Sequence, residues 1–129
     1  MDSFKGQNKH IIPSEITVYT DGSKTEYGVG SGYVVYLKGK RIQSHSSKLT
    51  DTTTVFQAEI TAINEAAEYL INLSNHRKFQ HVKILSDSQA ALIALNNSRL
   101  KSKTVKNAST ALNSLKLLCL LYTSPSPRD

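Results

Sequence analysis

The sequence predicts an α/β domain, and three observations carry that reading. Three β-type segments succeed one another between residues 16 and 49, with turn signals between them. The apolar period then lengthens from two residues to between three and four. A further strand and two helices complete the pattern up to residue 118.

Residues 1–14 are polar, with Pro13 near their end, and read as a linker or disordered tail. ITVYTDGS (16–23) is rich in β-branched and aromatic residues and closes on an Asp-Gly turn signal. GVGSGYVVYLKGKR (28–41) follows as a second strand that ends in a Lys38-Gly39-Lys40 turn, and IQSHSSKL (42–49) as a third. Short connections between consecutive strands predict an antiparallel meander, with Tyr19 and Tyr33 expected in the core. Phe56, Ile60, Ile63, Ala67 and Leu70 are spaced by four, three, four and three, which makes one apolar helix face. Thr54 and Gln57 offer a capping box at its start. HVKILSD (81–87) is a fourth strand. SQAALIALNN (88–97) is a short helix capped by Ser88, and a last helix runs from Lys103 to Leu118.

The 129 residues amount to one domain. A chain this size buries roughly two-thirds of its unfolded surface, enough for a core. Hydrophobic residues at 39% and only nine Gly plus Pro exclude disordered and collagen-like classes. The lone Cys119 excludes an internal disulfide framework and a Cys-cluster zinc site. No apolar run approaches the ~20 residues of a membrane span, so no membrane partner is expected. The opening MDSFKGQNKH has no apolar stretch of the secretory kind, so an intracellular location, nuclear or cytoplasmic, is expected.

The net charge of +6 is unevenly placed. Residues 1–87 hold ten Lys/Arg against nine Asp/Glu, whereas residues 88–128 hold six Lys/Arg and no acid. Arg99, Lys101, Lys103 and Lys106 are the densest group. One-sided basicity of this kind suits a polyanion such as nucleic acid.

Because acids are scarce, their positions are informative. Asp21 ends the apolar part of the first strand, and Asp87 ends the fourth. Glu59 lies in the long helix on the shoulder of its buried face, between Phe56 and Ile63. A carboxylate there pays for desolvation unless it is paired or holds a cation. No Lys or Arg lies within two residues of Asp21 or Glu59. Singly, each acid has an ordinary explanation: a turn residue, a cap, a solvated side chain. Together, if the two strands are neighbours and the helix crosses them, the three carboxylates converge and repel, and a divalent metal relieves the repulsion.

The ordered set YTDGSK (19–24), VFQAEITAI (55–63) and ILSDSQAALIAL (84–95) resembles the ribonuclease H family, in particular the ribonuclease H domain of non-LTR retrotransposon reverse transcriptases. The resemblance spans roughly residues 15–118. It implies a ribonuclease H-like mixed sheet, three antiparallel strands plus a parallel fourth, with packed helices. The family's closing strand, typically W-x-x-G-H-x-G-x-x-G-N-E-x-A-D, supplies a His and a fourth Asp. Nothing of that kind follows residue 100, so the fifth strand is expected to be missing. LCLLYTSPSPRD resembles the translation of a sequencing-library adaptor, and residues 119–129 are read as a non-native or disordered tail.

By position, Asp21, Glu59 and Asp87 match the family's first three catalytic, metal-binding carboxylates. The resemblance implies a two-ion Mg²⁺ site in the complete domain, with Mn²⁺ as a substitute. It also implies cleavage of the RNA strand of an RNA/DNA hybrid to leave a 5′-phosphate and a 3′-hydroxyl. Asp21 would bridge both ions, with Glu59 and Asp87 toward the leaving group. Gly22, Ser23 and Gln57 are the implied hybrid contacts beside the site. Arg99, Lys101, Lys103 and Lys106 are candidates for phosphates of the DNA strand. The implied setting is a monomer covalently joined to a reverse transcriptase domain. The competing readings are a catalytically inactive, truncated hybrid-binding module and an unrelated α/β protein whose acids are caps.

Overall fold

The computed structural model describes residues 15–97 and 102–126. Arg99, Lys101 and the 1–14 tail lie outside the described residues. The elements are β1 (Ile16–Thr25), β2 (Gly28–Leu37), β3 (Lys40–Leu49), α1 (Val55–Leu73), β4 (His81–Ser86), α2 (Gln89–Asn96), α3 (Lys103–Lys116) and β5 (Leu120–Pro125). They build one five-stranded sheet in the order β3-β2-β1-β4-β5. The first three strands are antiparallel neighbours. β4 runs parallel to β1, and β5 parallel to β4.

Period-two patterning puts one face of the sheet in the core. Ile16, Val18 and Thr20 of β1 are buried, as are Val29, Ser31, Tyr33 and Val35 of β2. Lys38 and Gly39 join β2 to β3 with positive φ at both positions, which a two-residue primed hairpin turn requires. α1 lies across β1 and β2 and against α3. Its Ile60, Ile63, Ala67 and Leu70 are fully buried, so the spacing in the sequence does mark the packed face. The capping box is present: Thr54 Oγ1 accepts from Gln57 N–H, and Gln57 Oε1 accepts from Thr54 N–H, each at 3.0 Å. Tyr33 is buried, but Tyr19 is 42% exposed and packs edge-on against Tyr36 at 5.9 Å. The reason is parity: Tyr19 alternates with Val18 and Thr20, and so faces away from α1.

The expected absence of a fifth strand is overturned. Leu120–Pro125 pairs in parallel with His81–Ser86, extending the sheet on the β4 side. The prolines argued against a strand, yet here they cost little. Leu120 N–H donates to Gln80 and Ser126 N–H to Ser86. Both are even-numbered, so the odd positions turn their N–H groups outward. Pro125 therefore gives up no ladder bond, as an edge strand permits. Leu121 packs against the core, while Leu120 and Tyr122 stay exposed. β5 carries no acidic residue.

Candidate active site

Asp21 and Asp87 are brought together by strand register. The parallel pairing of β1 and β4 runs through Thr20↔Ser86; past it Asp87 leaves the sheet, while Asp21 stays in β1 opposite Gly32 of β2. The buried Thr20 hydroxyl donates to Leu85 C=O at 3.0 Å and ties the two strands just before they part. Open parallel sheets expose ligand sites at such carboxyl ends. Asp21 also borders a shallow groove with Tyr19, Gly32 and Ser46.

Glu59 reaches this corner because Gly22 lets α1 come close. A Cβ on Gly22 would stand 2.6 Å from the Ala58 carbonyl carbon and would collide with the Glu59 amide nitrogen. Only glycine fits under the helix at that point. The Gly22 backbone N–H donates to the Glu59 carboxylate, and so does the Ser88 side chain. Ser88 acts twice: its oxygen also accepts from Ala91 N–H at 3.0 Å and caps α2. The buried Ser86 hydroxyl accepts from Ser88 N–H at 3.0 Å, which shapes the turn that carries Asp87.

The electrostatics follow from this crowding. Desolvation pushes the Glu59 carboxyl above its usual range, and the charges of Asp21 and Asp87 push it further. The bonds from Ser88 and Gly22 pull in the opposite direction without prevailing. Asp21 and Asp87 therefore both lie within electrostatic reach of Glu59. Among the described residues, no three His, Cys, Asp or Glu side chains are close enough to hold a metal ion as they stand. The donor chemistry nevertheless fits a hard divalent cation: two exposed aspartates beside the partly desolvated Glu59, whose repulsion a cation would cancel.

The hybrid contacts implied by the sequence fall in two groups. Gly22 is packed beneath α1, while Ser23 is exposed one residue further along β1. Gln57 commits its amide oxygen to the capping box and lines a cleft with Lys48, Thr50, Thr53, Thr61 and Thr104. Thr104 brings the first turn of α3 to that cleft, and Lys103 and Lys106 are exposed on the same turn of α3. Ser88 is the site residue that sequence reasoning took for a cap alone. Its signal was present in S-D-S, where one hydroxyl can accept from a helix and donate to an acid.

The family model for RNase H matches residues 13–125. The chain belongs to the RNase H family. Its fold is similar to RNase H1 from the halophilic archaeon Halobacterium salinarum NRC-1, with a TM-score of 0.68, 18% identity, and coverage of 88% of this chain and 86% of that one. It is also similar to LC11-RNase H1 in complex with RNA/DNA hybrid, with a TM-score of 0.67, 24% identity and the same coverages. The foamy viral protease-reverse transcriptase in complex with RNA/DNA hybrid matches with a TM-score of 0.64 and 20% identity, over 98% of this chain and 20% of that one. No curated protein sequence matches significantly. No helix among the described residues is long and apolar enough to cross a membrane.

Proposed function

We propose that this RNase H domain is a metal-dependent endonuclease that hydrolyses the RNA strand of RNA/DNA hybrids. The observation that carries the reading is the convergence of Asp21, Glu59 and Asp87 where β1 and β4 part, with Glu59 desolvated and charged against its neighbours. Bound Mg²⁺ would supply an activated water and relieve charge at the leaving oxygen. Asp21, Glu59 and Asp87 are the residues that would hold it. Gly22 and Ser88 aim the Glu59 carboxylate, and the Thr20–Leu85 bond keeps the two aspartates in register. RNA is distinguished from DNA by its 2′-hydroxyls, for which Ser23 and Gln57 are our candidate contacts. A retroelement reverse transcriptase is the setting we favour. It is supported by the motif wording in the sequence and by the fold's likeness to a domain-sized part of the foamy viral enzyme.

The test is cleavage of end-labelled RNA in a hybrid. With Mg²⁺ the parent chain should cut the RNA strand, and Asp21→Asn should lose about 10²-fold or more, the scale of removing one transition-state electrostatic contact. An Asp21→Asn chain as active as the parent would end this reading.

One observation favours a second reading, a hybrid-binding module without catalysis. β5 brings no fourth carboxylate, and the three acids do not stand as a ready-made cage among the described residues. Hybrid binding with no cleavage at any Mg²⁺ or Mn²⁺ concentration would select it. On either reading Lys103 and Lys106 contact phosphates of the hybrid. Neutralising either one should lower the slope of log affinity against log salt by about one unit. An unchanged slope removes them from the interface.

A further inference from the structure

α1 carries a second carboxylate turned toward the sheet, six residues after Glu59. Glu65 Oε1 accepts from Ser31 Oγ and Glu65 Oε2 from Ser47 Oγ, each at 3.1 Å. Ser31 and Ser47 face each other in the β2–β3 register, so a single carboxylate grips two strands at once. Ser47 gives its only hydroxyl proton to Glu65, and its oxygen is left to accept from His45 Nε2 at 3.0 Å. Ser31 is buried, and on its other side its ladder partner is Gly22. Gly22 is the residue on which Glu59 rests.

The buried face of α1 near this point includes Ala58, Ala62 and Ala66. Small side chains set how close a helix lies to a sheet, but they resist sliding and rotation weakly. Two directional bonds to a carboxylate resist both. Glu65 is about 9 Å along the axis from Glu59, less than two helical turns. Any slip released at Glu65 is therefore delivered to Glu59.

We propose that Glu65 is a positioning residue for the carboxylate site: its clamp on Ser31 and Ser47 fixes the slide and rotation of α1 at which Glu59 meets Asp21 and Asp87. The inference rests on the nuclease reading for its consequence in catalysis, but its geometric core is tested without it. Glu65 touches no reacting group.

The variants are Glu65→Ala, Glu65→Gln and the milder Ser31→Ala. Glutamine keeps an acceptor for one serine and offers a donor to the other, so it should preserve the clamp. Three readouts are taken on the full chain: the Mg²⁺ concentration for half-maximal hybrid cleavage, the hydrogen exchange of the Gly22 amide that bonds Glu59, and the thermal midpoint. Glu65→Ala should raise the Mg²⁺ requirement roughly fivefold, below the roughly 10- to 100-fold typical when a group bonded directly to a metal ligand is removed. Gly22 exchange should quicken roughly fivefold, the scale of one net hydrogen bond. Glu65→Gln should restore both. Should Glu65→Ala fail to fold, Ser31→Ala should show the same two shifts at smaller size. A fall in thermal midpoint with Mg²⁺ requirement and Gly22 exchange both unchanged would overturn the proposal and leave Glu65 a plain strut. If the parent cleaves nothing, the nuclease reading fails alone. Gly22 exchange then decides the clamp: faster in Glu65→Ala upholds it, unchanged rejects it.

Discussion

The carboxylate corner at Glu59 and the serine clamp at Glu65 sit on the same helix and take the same residue type, yet they are opposites. At the clamp, two hydroxyls from neighbouring strands meet the two oxygens of one acid. At the corner, burial and the like charges of Asp21 and Asp87 outweigh the bonds that Glu59 accepts from Ser88 and Gly22. The clamp is charge satisfied by architecture. At the corner, Glu59 keeps its place against burial and the charges of its neighbours, a balance that the proposed cation would reverse.

The comparison breaks most visibly at Gly22. Gly22→Ala should overpack the corner against Ala58 and destabilise the protein by about 1–3 kcal/mol, read by chemical denaturation. A neutral result would mean that α1 lies further from β1 than the corner requires. A smaller change sharpens the contrast from outside both regions. Thr54→Ala removes half of the capping box and should cost about 1 kcal/mol without altering the Mg²⁺ requirement for cleavage. A raised requirement there would show that any weakening of α1 disturbs the site, and the clamp would lose its special standing.

The subtlest test exchanges the two acids for their amides. The Glu59 carboxyl is raised in the folded state, so its ionised form opposes folding. That penalty is fully present above the folded pKa and fades as pH falls through it, since the folded chain then binds the extra proton. Glu59→Gln should accordingly raise the thermal midpoint of the metal-free protein at pH 7, with the gain shrinking toward pH 5. Glu65→Gln, which removes a satisfied acid, should raise nothing. Equal behaviour of the two variants would erase the distinction.

The corner was legible in the sequence because it depends on local signals. Strand ends, an amphipathic spacing and a capping box placed Asp21, Glu59 and Asp87 on the elements that do converge. The clamp was not legible, because Ser31, Ser47 and Glu65 lie on three elements and each is unremarkable within its own stretch. Their meeting depends on the β2–β3 register and the depth of α1, neither of which a periodicity reports. β5 was lost for a related reason. Proline argues against a strand only where its missing N–H would have faced a partner, and the edge position of Pro125 was not visible before the sheet order was known. Tyr19 was misplaced because a β-branched and aromatic run shows that a strand exists without showing which parity faces the helix.

The central claim is that three distant acids form one cation site. Crystals grown with Mn²⁺ and measured for anomalous scattering would test it most directly. The account predicts a peak bounded by the carboxylates of Asp21, Glu59 and Asp87, lost in Asp21→Asn. Manganese bound only elsewhere on the protein, with that corner empty at saturating metal, would contradict it.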